Sequence, residues 1–272
     1  MKNEEFIEII DDTFDIEKIL ESGQFFNYSK KENYFEVVID GNIIKIETNK
    51  NTSKIYCNQA FFDKYLITFF DMNTNYQKIN ENIRLKFPEL KKYIDYGEGI
   101  RFLNQELLLV CITFIISQNN NVRNIKNSIN KLVSKYGENG NFPSLDILKK
   151  LTIEDLKELS IGFRANYLYE FIQKIDNNWL LKMNILDENE AFEELIQFKG
   201  IGPKVANCIL LFGLNKRKVF PIDVHIKRIM QKIYFENNET SNKEIESFAL
   251  KKFGEYASYI QQYLFYYSLK NS

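Results

Sequence analysis

In the stretch FKGIGPKVAN, residues 198–207, a lysine stands directly after a Gly-x-Gly-Pro turn and opens an apolar helix. Lys204 in that position has three possible uses: a phosphate anchor, a solvated surface charge or a nucleophile. Cys208 follows four residues later, so the two side chains share one face of the helix. The turn glycines, Gly200 and Gly202, leave backbone N–H groups open at a helix N-terminus, which makes an anion site. Pro203 suits the first helical turn, where its missing N–H would have had no partner. A dinucleotide fingerprint needs a third glycine where Val205 stands, and a strand where the preceding segment is helical; a P-loop GxxxxGK[ST] is absent. Two readings remain: a helix–hairpin–helix that grips a DNA phosphate without reading sequence, or an ordinary packing joint between two helices. Downstream, FPIDVHIKRI supplies Asp223 and the only histidine, His225. Asp223 precedes a helical run and suits an N-cap. His225 lies in the same first turn, where its ring could meet a phosphate.

Two kinds of element must position these residues. In NYFEVVIDGNIIKIET (33–48), Phe35, Val37 and Ile39 alternate with Tyr34, Glu36 and Val38 until Asp40-Gly41 interrupts. That pattern predicts two strands joined by a tight turn, with KIYCNQA (54–60) as a third. From about residue 99 the pattern is helical. QELLLVCITFIIS is apolar all round and therefore buried. NVRNIKNSINKLVSKYG is amphipathic and ends at Gly137. TIEDLKEL opens with Thr152 and Asp155 in near capping-box spacing. The expected fold is α+β: an antiparallel sheet domain over residues 1–97, resembling the TATA-binding protein in type, then an all-α domain over 98–272. The boundary falls at YGEG.

Composition narrows the class. The chain has 272 residues, 44% of them hydrophobic, enough for a substantial core. Cys57, Cys111 and Cys208 are far apart, so a disulfide framework, a zinc finger or a cysteine-ligated iron–sulfur cluster is disfavoured. The acidic N-terminus lacks a signal-peptide core. The longest apolar run, 107–116, is about half of the ~20 residues that span a membrane. The expectation is a soluble, intracellular protein with no membrane partner. The net charge of −1 argues against nucleic acid, but residues 199–232 hold eight Lys/Arg and one acid. Such a local excess binds phosphates or forms a solvated helix face.

Taken together, GIGPKVANCILLF and FPIDVHIKRI resemble the helix–hairpin–helix, Gly/Pro-rich, aspartate superfamily of DNA glycosylases. Within it, the lysine two residues past the second glycine, paired with P-x-D-V-H, is similar to the 8-oxoguanine DNA glycosylase/AP lyase branch. SGQFF at 22–26, GIRFLNQ and FIISQNNNVRNI within 99–125, LSIGFRANYL at 159–168 and YIQQYLFY at 259–266 resemble further family blocks, in family order.

The resemblance implies residue roles. Lys204 matches the Schiff-base nucleophile and Asp223 the catalytic aspartate. Gly23 matches the glycine whose carbonyl accepts from N7–H of the oxidised base, a hydrogen that guanine lacks. Cys208 and Phe265 match the pair that sandwiches the flipped base, and Gln261 the reader of its Watson–Crick edge. Asn119 matches the residue that fills the vacated stack, Phe163 an aromatic wedge, Arg164 a reader of the estranged cytosine and His225 a phosphate contact. Gly200 and Gly202 form the DNA-gripping hairpin. No metal or organic cofactor is implied. The implied partner is duplex DNA containing 8-oxoguanine, and the implied state is a monomer, in cytoplasm or nucleoid if bacterial. The sequence departs from the pattern at Asn124, which falls where eukaryotic members carry a second cytosine-reading arginine. The rival readings are an alkylbase glycosylase using the aspartate alone and a catalytically silent DNA-binding hairpin; an endonuclease III-like enzyme usually carries an iron–sulfur cluster.

Overall fold

The computed structural model describes residues 5–49 and 52–271. Five strands, β1 (Ile7–Ile10), β2 (Tyr28–Lys30), β3 (Tyr34–Ile39), β4 (Asn42–Asn49) and β5 (Thr52–Tyr56), form an antiparallel sheet in the order β1-β5-β4-β3-β2. The expected hairpin is β3–β4, with Ile39 opposite Asn42 across the Asp40-Gly41 turn. Phe35, Val37 and Ile39 point into the core, as the alternation requires. The third expected strand, β5, stops at Tyr56 instead of running to residue 60. Asn58 ends it by capping the next helix, its side chain accepting from the Phe61 N–H. Strands β1 and β2 were not expected; each is short, and each is held by pairing to a partner across the sheet.

The helix Leu107–Ser117 is buried from Leu107 through Ile116. Leu109 joins the core under the sheet, whereas Cys111, Ile112 and Ile115 join the core of the helical body, so this helix is the wall between them. A third core is built by the helices Tyr76–Lys86 and Lys91–Gly97 with the helices Val224–Tyr234, Asn242–Phe253 and Ala257–Lys270. The amphipathic helix runs from Val122 to Tyr136 with Gly137 at its end. Thr152 and Asp155 complete a reciprocal capping box. No helix among the described residues is long and apolar enough to cross a membrane.

Candidate active site

The hairpin consists of the helix Glu188–Ile196, a turn, and the helix Pro203–Gly213. Its two glycines do different work. Gly200 has φ +88°, and a Cβ there would lie 2.6 Å from the Tyr167 ring, so both backbone and packing demand glycine. Gly202 caps the second helix with extended backbone, and a Cβ there would meet nothing within 4 Å. The helix start beyond it carries the N–H groups of Lys204 and Val205, which have no intrahelical partner. The open approach is therefore at Gly202, and the structural constraint is at Gly200.

Lys204 and Asp223 border two spaces at once. One is a pocket of about 550 Å³ that also takes in Gly23, Cys208, His225, Gln261 and Phe265. The other is a broader groove lined by Asn119, Asn124, Gly202, His225 and Glu246. The structure thus brings together residues from positions 23 to 265 around one lysine and one carboxylate. Burial pushes the Cys208 thiol above its usual range; the Lys204 ammonium opposes that shift and the Asp223 carboxylate adds to it. Both charges therefore lie within electrostatic reach of the same sulfur. The Lys204 Nζ stands 5.4 Å from the centre of the Phe114 ring. Asp223 caps its helix as expected, Oδ1 accepting from the Ile226 N–H at 2.8 Å.

The pocket's floor is held by glutamines. Gln261 donates from Nε2 to the Pro221 carbonyl at 3.2 Å, while its Oε1 is buried with no partner among the described residues. A buried acceptor left unpaired costs about 1–3 kcal/mol, so the pocket favours an occupant that brings an N–H donor. Gly23 has φ +77°, and a Cβ on it would stand 2.8 Å from Phe265 Cε1. Its carbonyl loop is pinned from both sides. Gln24 donates to the Arg101 carbonyl and accepts from the Leu103 N–H, and Gln262 donates to the Ser22 carbonyl. Gln24, Gln262 and Phe114 have no site role assigned from sequence; each lies within a block that resembles the family, SGQFF, YIQQYLFY and FIISQNNNVRNI, and that membership was the available signal. His225 meets Ser268, with Nδ1 3.2 Å from Oγ, and its ring stands edge-on to Phe265 at 6.3 Å.

Gly200, Phe163 and Arg164 line neither space. Phe163 is 54% exposed and rests edge-on against Tyr167, whose ring also underlies Gly200. Arg164 is buried, its guanidinium turned onto backbone carbonyls. Arg123 lines the pocket and its neighbour Asn124 the groove, as the ~100° step between helical neighbours requires. The basic segment 199–232 is not one open patch. Lys216 donates to the Leu186 carbonyl, Arg217 covers the Phe102 ring at 4.0 Å and Lys227 pairs with Glu239. The linear charge count overstates the field at the groove.

Comparison with known proteins follows the same division of the chain. Residues 7–108 match the 8-oxoguanine DNA glycosylase N-terminal domain, and residues 112–255 match the HhH-GPD superfamily of base excision DNA repair proteins. The Clostridium acetobutylicum 8-oxoguanine glycosylase/lyase, solved with double-stranded DNA containing cytosine opposite 8-oxoguanine, aligns with TM-score 0.90 and 33% identity over 100% of this chain and 99% of that one. The Arabidopsis thaliana N-glycosylase/DNA lyase OGG1 is 28% identical over 74% of this chain and 60% of its own length. The Saccharomyces cerevisiae N-glycosylase/DNA lyase is 28% identical over 76% of this chain and 67% of its own.

Proposed function

The chain belongs to the 8-oxoguanine DNA glycosylase branch of the HhH-GPD superfamily, and from that premise we propose that it excises 8-oxoguanine from duplex DNA and then nicks the strand as an AP lyase. One observation carries the reading: a single lysine and a single aspartate border both a base-sized pocket and an open groove. A base cannot be attacked at C1′ inside the duplex, so it must be extruded. The groove then takes the backbone, with Gly202 at the phosphate, and the pocket takes the base between Phe265 and Cys208. The Gln261 Oε1 finds its donors in N1–H and the exocyclic amine of the guanine edge. The Gly23 carbonyl meets the N7–H that distinguishes the oxidised base.

Lys204, as the free amine, attacks C1′ while the C1′–N9 bond breaks and the base departs with a proton. The Asp223 carboxylate stabilises the positive charge that builds on the sugar. The C1′–O4′ bond then opens, O4′ leaving as a hydroxyl, and the adduct becomes an imine between Lys204 and C1′; the imine acidifies C2′–H, whose loss expels the 3′ phosphate, and water releases the lysine. The work is done by a monomer on DNA inside the cell. Duplexes carrying 8-oxoguanine, guanine or a ready-made abasic site test the assignment directly. Nicking of the first and third but not the second is expected; base release without nicking would leave only a monofunctional glycosylase, and no release only a binding module.

Gly23→Ala is expected to slow excision of 8-oxoguanine about tenfold or more, because the new methyl must strain the backbone and push the Phe265 ring into the base slot. Nicking of a ready-made abasic site, which presents no base, should fall far less. Equal losses on both substrates would show that the damage is general.

Asn124 gives a second expectation. Arginine offers a rigid charged fork to the two cytosine acceptors, whereas asparagine is short and neutral. Losing such a contact removes about 1–3 kcal/mol of discrimination. Excision opposite adenine, guanine or thymine should therefore trail cytosine only modestly, and Asn124→Arg should sharpen the preference. Single-turnover rates opposite all four bases check this; a wild type that rejects all but cytosine overturns it.

A further inference from the structure

We propose that Arg164 is a positioning residue for base extrusion: it sets the turn that carries Asn119, and so acts on excision whatever base stands opposite the lesion. The inference rests on the glycosylase reading above and on Asn119 as the residue that enters the vacated stack.

The turn in question, residues 118–121, links the helices Leu107–Ser117 and Val122–Tyr136 and opens onto the groove. Asn119 holds φ +45°, the left-handed region, which asparagine tolerates better than most side chains but which still carries strain. Something must compensate for that strain. The carbonyls at the end of the preceding helix are also short of partners and carry its negative pole. Arg164 answers both needs. Its Nε donates to the Gln118 carbonyl at 2.6 Å, and Nη2 donates to the same carbonyl and to the Asn119 carbonyl at 2.7 Å. Nη1 donates to the Ile161 carbonyl at 3.1 Å, tying the turn to the SIGF loop. The residue is 8% exposed, and its bonds go to backbone carbonyls on two separate loops.

The donor count decides between the two roles. A guanidinium has five N–H donors, and four are engaged here. The single remaining N–H on Nη1 cannot form a two-pronged fork on an orphaned cytosine. Reading the base with two donors would require Arg164 to release a turn that has just delivered Asn119 into the helix. Holding that turn requires no rearrangement at all.

The two roles predict different rate profiles. Single-turnover excision of 8-oxoguanine opposite each of the four bases is measured for Arg164→Ala, Asn119→Ala and the double variant, beside melting curves. Extrusion is followed separately by the fluorescence of 2-aminopurine placed next to the lesion. A positioning role predicts that Arg164→Ala slows excision by a similar factor, about 10- to 100-fold, opposite all four bases and weakens the extrusion signal. In the Asn119→Ala background the same change should cost less than about twofold, because the effect runs through that side chain. Arg164→Lys keeps the charge but lacks the fork that bridges two loops, so it should fall with alanine; it replaces alanine in the cycle if alanine does not fold. A loss confined to cytosine, or full multiplication of the two single effects, overturns the proposal. A wild type inactive on 8-oxoguanine would instead sink the glycosylase reading itself.

Discussion

Lys204→Gln is expected to abolish the covalent intermediate while leaving the hairpin intact. With borohydride present during turnover on an 8-oxoguanine duplex, wild type should be trapped on the DNA and the variant should not. The side chain belongs to both the pocket and the groove, so an amine there reaches a sugar whose base has entered the pocket and whose phosphates lie in the groove. Glutamine keeps the length and polarity but has no nucleophilic nitrogen. The hairpin N–H groups proposed to meet a phosphate are backbone and survive the change, so affinity for duplex DNA should fall only modestly. Excision itself should drop to background, since the nucleophile that displaces the base is gone. A variant that traps with wild-type yield would move the nucleophile elsewhere and return Lys204 to the role of phosphate anchor.

Asp223→Asn separates two functions held by one carboxylate. Oδ1 caps the helix Val224–Tyr234, and asparagine caps about as well. Oδ2 takes no hydrogen bond among the described residues, and the residue borders the pocket where sugar charge would develop. The variant should therefore melt within a few degrees of wild type, yet excise roughly 100-fold or more slowly, the usual scale for removing one preorganised charge-stabilising group. Single-turnover excision measured beside a melting curve decides the matter. Near-normal excision would leave Asp223 as a cap only; a collapse of the melting temperature would show that the cap depended on the charge.

Different parts of this molecule were legible in the sequence for different reasons. The hairpin, Lys204 and Asp223 lie in short local patterns, and the turn, proline and cap that position them are also local. The β3–β4 hairpin was equally readable, because a two-residue turn between alternating segments needs no distant information. Strands β1 and β2 were not, since three or four residues become a strand only when a distant partner supplies the ladder. The same limit hid Gln24 and Gln262, whose partners are backbone groups far along the chain. Arg164 shows the limit most sharply. Its place in a family block implied a role at a base, and nothing local announced the Gln118, Asn119 and Ile161 carbonyls to which its guanidinium donates. The basic run at 199–232 misled in the opposite sense, because neighbours in sequence point to different faces and Lys216 and Arg217 serve the fold.

The clamp on Gly23 also orders events during synthesis. Ser22 and Gln262 are 240 positions apart, so the ribosome delivers them at well-separated times. The hairpin and its lysine emerge earlier, whereas the Gly23 loop is locked only after the helix Ala257–Lys270 has docked. Long-range closures of this kind form late because loop entropy must be overcome first. A chain released before that helix would thus carry the hairpin and Lys204 without the bond that fixes the Gly23 loop. Under the reading proposed above, lesion discrimination would mature after the hairpin that grips DNA.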